Sequence, residues 1–317
     1  MKQSFFDGYS NLAKLLSLII IILVCLLFTM LFGIVFAIPF WGLNILDLFS
    51  GLSNYSNPES LNLLKYFQVI NQIGIFILPA IFYSYLDKRN ITSALTLNIK
   101  PKVITLLFVS ILIFISIPFV DWMVSINQSI KFPEFLSNLE NWFIESENQA
   151  MALTELFLDV NTLWGLLFNV FMIAIMAAIS EEFLFRGVLL KLFAEWTKNI
   201  HLAVIFSALL FSAFHLQFYG FLPRFMLGVL LGYLFVWTKS LWVPIFVHFL
   251  NNAIAVIISY LFNNGVISFG IESVGSYDNS VFLGSILFII IFLVLINYNE
   301  KGILKRIFIK KKDDTLF

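Results

Sequence analysis

From Leu15 to Phe40 the chain runs without one charged residue, and seven further apolar stretches follow it. A hydrocarbon core about 30 Å thick takes roughly 20 apolar residues in helical form. Leu15–Phe40, Phe67–Leu86, Val103–Val120, Leu163–Phe185, Leu202–Leu216, Phe225–Trp237, Leu241–Phe262 and Val281–Ile296 meet or approach that length. The fifth and sixth are short and joined tightly around Gly220 and Pro223. Lipid offers backbone groups no partner and the stretches lack strand-like alternation, so each must be a helix. The expected fold is all-α: a polytopic transmembrane bundle of about eight spans, forming one integral-membrane domain over residues 1–317. Composition agrees, with 60% of residues apolar and 12% charged, against roughly half and a quarter in soluble domains.

No small-residue cleavage pattern follows the first stretch; Pro39, Phe40 and Trp41 come instead. It therefore reads as a retained span, not a removed leader. The net charge of zero leaves no basic face for phosphates, which argues against a nucleic-acid partner. Cys25, the single cysteine, can form neither an internal disulfide nor a cysteine-based metal cluster.

The basic residues set an orientation. With both termini in the cytoplasm, the inner side receives Lys2, Lys14, Lys88, Arg89, Lys100, Lys102, Arg186, Lys191, Lys198 and Lys239, and then the tail cations from Lys301 to Lys312. Only Lys65, Lys131 and Arg224 fall outside, and a bias of this kind marks cytoplasmic loops. The longest outer segment, residues 121–162, is acidic, and Phe135, Leu139, Trp142 and Phe143 recur in it at helical spacing. That pattern predicts a helix lying on the outer membrane surface. The end of the chain, 299–317, alternates apolar and basic residues and reads as a surface-anchored cytoplasmic tail.

Ionisable groups inside the spans are the second signal. Span four continues into Ser180, Glu181, Glu182 and Arg186, and apolar residues resume at Val188. If that helix runs on to Trp196, Glu181 lies about 22 Å from its end at 1.5 Å per residue. Span five carries His215, and span seven carries His248 and Asn252. Charged or imidazole groups in hydrocarbon are costly and face a bundle interior or a wet cavity. Three spans bringing such groups inward predict one shared site. Glu182 and Arg186, four apart, stack on one face, whereas Glu181 points about 100° away. Arg186 is thus expected to neutralise Glu182 and leave Glu181 free for proton transfer. His248 and Asn252, also four apart, can present donors to one oxygen; Phe211 shares a face with His215 and is expected to pack beside its ring. His201 reads as an ordinary surface histidine.

Three segments together resemble the CAAX-protease and bacteriocin-processing (CPBP, or Abi) intramembrane endopeptidases. Paired glutamates with an arginine four after the second match Glu181, Glu182 and Arg186. A phenylalanine with histidine four later matches Phe211 and His215, and a histidine with asparagine four later matches His248 and Asn252. The resemblance covers Leu163 to Phe262, which would form the catalytic core. It implies that Glu181 and His215 activate a water, that His248 and Asn252 form an oxyanion hole, and that Glu182, Arg186 and Phe211 support them. The implied partners are a peptide or protein substrate, membrane-associated substrates included, and the bilayer, with a bacterial plasma membrane as the expected location. A divalent metal such as zinc on Glu181, His215 and His248 stays open, although the His-Glu-x-x-His spacing is missing, and a metal-free glutamate mechanism is favoured. Two rival functions are a proton-coupled transporter, against which the lack of internal symmetry counts, and a non-catalytic membrane scaffold or immunity protein.

Overall fold

A computed structural model describes residues 4–42, 58–88, 90–268 and 279–302. All regular structure among these residues is helical. Helix α1 spans Asn11–Trp41. Helix α2 is built of three consecutive segments, Pro58–Gln72, a π-helical Ile73–Ile77 and Leu78–Lys88. After the short α3, Ile91–Ala94, come α4, Val103–Ser129, and α5, Ser137–Leu158. Helix α6 runs unbroken over Leu163–Thr197, and α7 covers Ile200–Ala213. Helices α8, Phe221–Thr238, α9, Trp242–Asn263, and α10, Asn279–Glu300, complete the bundle.

Seven of these helices are long and apolar enough to cross a membrane: α1, α2, α4, α6, α8, α9 and α10. All eight expected spans exist as helices, but the fifth differs. Helix α7 has only 14 residues, about 21 Å at 1.5 Å per residue. It starts where the Asn199 side chain accepts hydrogen bonds from the His201 and Leu202 amides, a standard N-cap that fixes the first turn. It stops at Ala213, and the chain turns through Leu216, whose φ of 53° is left-handed. His215, expected inside span five, therefore sits in the turn beyond the helix.

Two of the basic residues counted as loop charges are also placed differently. Arg186 is fully buried in the bundle. Lys65 is buried too, and its ammonium donates to the Phe157 carbonyl at 3.0 Å and to Asn169 Oδ1 at 3.2 Å. A cation on one of the last carbonyls of α5 suits the negative end of that helix. Arg89 and the tail beyond residue 302 lie outside the described residues.

Helix α6 is the axis of the fold. Leu184, Phe185, Val188 and Leu189 on it pack with Phe76 of α2, Val204 and Phe211 of α7 and Ile245 of α9. A second core joins Val109 and Leu112 of α4 to Leu231 and Leu234 of α8, Val243 and Val247 of α9 and Ile296 of α10. Helix α9 contributes to both cores, which fixes its rotation and turns His248 inward. Two π-helical segments interrupt α6, Val170–Met176 and Phe185–Leu189. They flank the α-helical stretch Ala177–Leu184 that carries both glutamates. The wider turns redirect carbonyls sideways, and neighbouring helices use them. Ile173 O accepts from Asn252 at 3.1 Å, Met172 O from Gln72 at 3.2 Å, and Phe185 O from Ser207 at 3.1 Å.

Candidate active site

Helices α6, α7 and α9 bring Glu181, Glu182, Arg186, Phe211, His215, His248 and Asn252 into one neighbourhood. Glu182 is fully buried and is the most heavily used of them. Its Oε1 accepts from Arg186 Nη1 at 2.5 Å, and His248 Nδ1 lies 3.0 Å from the same oxygen. Arg186 also donates through Nη2 to the Gly228 carbonyl of α8 at 2.9 Å, and its guanidinium lies 4.7 Å from the centre of the Phe211 ring. A buried ion pair holds only where further hydrogen bonds and good geometry offset desolvation. Here a histidine, a carbonyl and an aromatic face supply them.

Gly228 makes that contact possible. A Cβ at this position would lie 3.0 Å from the Ala208 Cα and 3.3 Å from Phe211. Without one, α8 approaches α7 closely and its carbonyl reaches Arg186.

Glu181 is placed otherwise. Its Oε2 is buried without a hydrogen-bond partner, and the nearest cationic candidate is His248 Nε2 at 3.9 Å. His248 thus stands between the two glutamates, tied to Glu182 through Nδ1 and facing Glu181 through Nε2. A carboxylate only accepts, so Nδ1 carries the proton in the Glu182 contact, and Nε2 carries one only when the ring is an imidazolium.

Phe211 joins the parts. Its ring lies edge-on to His215 at 5.3 Å, to His248 at 5.7 Å and to Phe185 at 5.3 Å. His215 Nδ1 is 2.9 Å from the Phe211 carbonyl. A carbonyl also only accepts, so Nδ1 is the protonated nitrogen there and Nε2 is left as the basic one. Asn252 gives one amide hydrogen to Ile173 O, and its own Oδ1 accepts from Asn251 at 3.1 Å. One N–H of its amide stays uncommitted. The pair expected to share an oxygen, His248 and Asn252, therefore meet as neighbours on α9 that are each anchored to α6.

Among the described residues, Glu181, His215 and His248 do not form a three-donor grouping suited to a metal ion. No step below is routed through a metal.

Two further polar residues near the site were not singled out from sequence. Arg224, counted as an outer-loop cation, lies in the first turn of α8. Its Nη2 donates to Gln217 Oε1 at 2.7 Å. Gln217 in turn donates to Glu147 of α5 at 3.1 Å. The available signal was an arginine one residue past Pro223, at the mouth of an apolar span.

The sequence model for the type II CAAX prenyl endopeptidase Rce1-like family matches residues 163–254, the stretch that holds every group of this site. The membrane-embedded CAAX protease MroQ of Staphylococcus aureus (strain USA300) is 37% identical over 98 residues, which are 29% of this chain and 39% of that protein. A Bacillus subtilis (strain 168) protein, YpbD, itself described as uncharacterized, is 30% identical over 90 residues, 27% of this chain and 43% of its own length. The matches thus span about two fifths of each relative. No solved structure matches the chain. Segment 163–254 is thus similar to the Rce1-like type II CAAX prenyl endopeptidases, in agreement with the resemblance read from its motifs.

Proposed function

We propose that this integral, multi-pass membrane protein is an intramembrane endopeptidase of the CAAX-protease type, acting on peptide or protein substrates at a bacterial plasma membrane. The observation that carries the reading is the unequal use of two adjacent glutamates. Each keeps a buried, unpartnered Oε2, but Glu182 is held through Oε1 by Arg186 and His248, whereas Glu181 is held by no arginine or lysine among the described residues and faces the His248 imidazole at 3.9 Å. A structural carboxylate next to an unused one is what general-base chemistry needs.

In this reading Glu181 Oε2 and His215 Nε2 position a water, and Glu181 takes its proton as the oxygen attacks the peptide carbonyl carbon. The carbonyl oxygen becomes an oxyanion and accepts from the free N–H of Asn252 and from Nε2–H of an imidazolium His248. Glu182 holds that ring in register through Nδ1. Donors fixed in advance act without reorganisation, and each is worth ~2.7–4 kcal/mol in the transition state. When the C–N bond breaks, the proton on Glu181 passes to the leaving nitrogen, and the carboxylate is restored.

Helix α5 supports a surface location for the site's outer wall. Leu139 and Trp142 of α5, and Phe135 just before it, are exposed to the outside of the protein, as apolar groups laid on a membrane would be, whereas Phe143 of the expected stripe is turned to Phe218. The test is proteolysis of a peptide panel by the purified full chain in detergent, with and without chelator, against a Glu181→Ala control. Cleavage that survives chelation and vanishes in the variant supports the proposal. Loss of cleavage on chelation would replace the glutamate mechanism by a metal one, and a panel left intact by the wild type would remove the proteolytic reading.

A further inference from the structure

His215 does not sit on a helix, so something else must hold its ring in place. The turn 214–220 that carries it is bracketed from two sides. From α4, Asn127 donates to the Phe218 carbonyl at 2.8 Å and accepts from the Leu222 amide at 2.6 Å. From α5, the Glu147 carboxylate accepts from both Gln217 Nε2 and the Tyr219 amide, each at 3.1 Å. The same helix stacks Phe143 on Phe218, with ring centres 4.8 Å apart.

Phe143 and Glu147 are four residues apart and share one helical face. That face is turned to the protein, while Trp142 and Leu139 are turned away from it. The free side of α5 mixes Leu139 and Trp142 with Asn141, Glu145 and Asn148, so its distinctive feature is the acid on the docked side. The hydrogen bonds of Glu147 are charge-assisted, about twice as strong as neutral ones. They end on the backbone and side chain of the segment carrying His215, and Gln217 passes the contact on to Arg224 at 2.7 Å. Gly220 makes room for this, because a Cβ there would collide with the Arg224 guanidinium.

We propose that Glu147 is a positioning residue of the active site: it clamps the His215 turn to α5, so that docking of this surface helix sets the place of the His215 imidazole. This rests on the proteolytic reading only for its catalytic consequence; the clamp itself is a statement about the turn. Displacing a catalytic group by 1 Å costs on the order of 100-fold.

The test measures two things on the full chain in detergent: hydrogen exchange of residues 214–220, and kcat and KM on a cleaved peptide. Glu147→Ala is expected to speed exchange of 214–220 at least tenfold, with α9 unchanged, and to lower kcat roughly 10- to 100-fold with KM within about twofold. Glu147→Gln keeps one acceptor oxygen and serves where the alanine variant folds poorly; an intermediate loss is expected. Gln217→Ala should lower kcat too, and the double variant should lose less than the two single losses combined, since the two residues share a contact. Faster exchange in Glu147→Ala, together with a wild type that cleaves no peptide, would uphold the clamp and remove the proteolytic function. Unchanged exchange in both variants, or a kcat loss that leaves exchange at the wild-type rate, would overturn the clamp.

Discussion

Glu181 and Glu182 are neighbours in sequence with opposite burdens. Replacing Glu182 by Gln strips the charge from a carboxylate that holds both Arg186 and His248. Breaking one side of a buried ion pair typically costs about 3–5 kcal/mol, so Glu182→Gln should show a sharply reduced folded yield and thermal midpoint in detergent. Glu181→Gln removes no ion pair with arginine or lysine and should fold normally while losing cleavage. Asn252 divides differently. Its amide keeps one N–H for substrate, and Asn252→Ala should lower kcat roughly 10²–10³-fold with KM little changed, because that bond strengthens only as the oxyanion forms. A variant that raises KM alone would show that Asn252 binds substrate without stabilising the transition state. The pairing of Glu182 with Arg186 was legible from their spacing of four. The second partner of Glu182, His248, was not, because it comes from α9 and no local pattern reveals which nitrogen meets which carboxylate.

At the scale of elements, the apolar stretches were legible because their physics is local: a long uncharged run can only be a helix in lipid. The end of α7 was not. Leu202–Leu216 reads as continuously apolar, yet the helix stops at Ala213 and the left-handed Leu216 turns the chain. Neither glycine nor proline marks that stop, and the contacts that hold the turn come from Asn127 and Glu147, 91 and 72 residues away from their respective partners. The π-helical segments of α6 were equally hidden, and the donors to their carbonyls, Gln72, Ser207 and Asn252, come from other helices. The close approach of α8 can be tested by itself. Gly228→Ala pushes a methyl group against the Ala208 backbone at 3.0 Å, and overpacking of this kind costs typically 1–3 kcal/mol. The expected outcome is a lower thermal midpoint together with lost cleavage, because the Gly228 carbonyl moves away from Arg186. An unchanged midpoint would mean that α7 and α8 separate freely.

At the scale of the whole molecule, the fold class follows from composition, but the charge pattern needs a finer reading than a count. Arg186 and Lys65 are charges of the interior, one on a glutamate and one on the carboxyl end of α5. Removing both from the count still leaves the inner side far richer in lysine and arginine than the outer one. The orientation proposed from that bias puts α5 outside the cell. In a Cys25→Ser background, a cysteine introduced at Ser137, which is exposed, should label with a membrane-impermeant reagent in intact cells. Labelling only after the cells are opened would invert the topology.

The central claim is that Glu181 is the base of a peptide-bond hydrolysis that needs no metal. It is tested most directly by one measurement: the appearance of new amino termini when the purified chain, in detergent and chelator, meets a peptide panel, with wild type and Glu181→Gln run side by side at matched folded fraction. The account predicts cleavage by the wild type and none above background by the variant. Equal cleavage by both, or none by either, would contradict it.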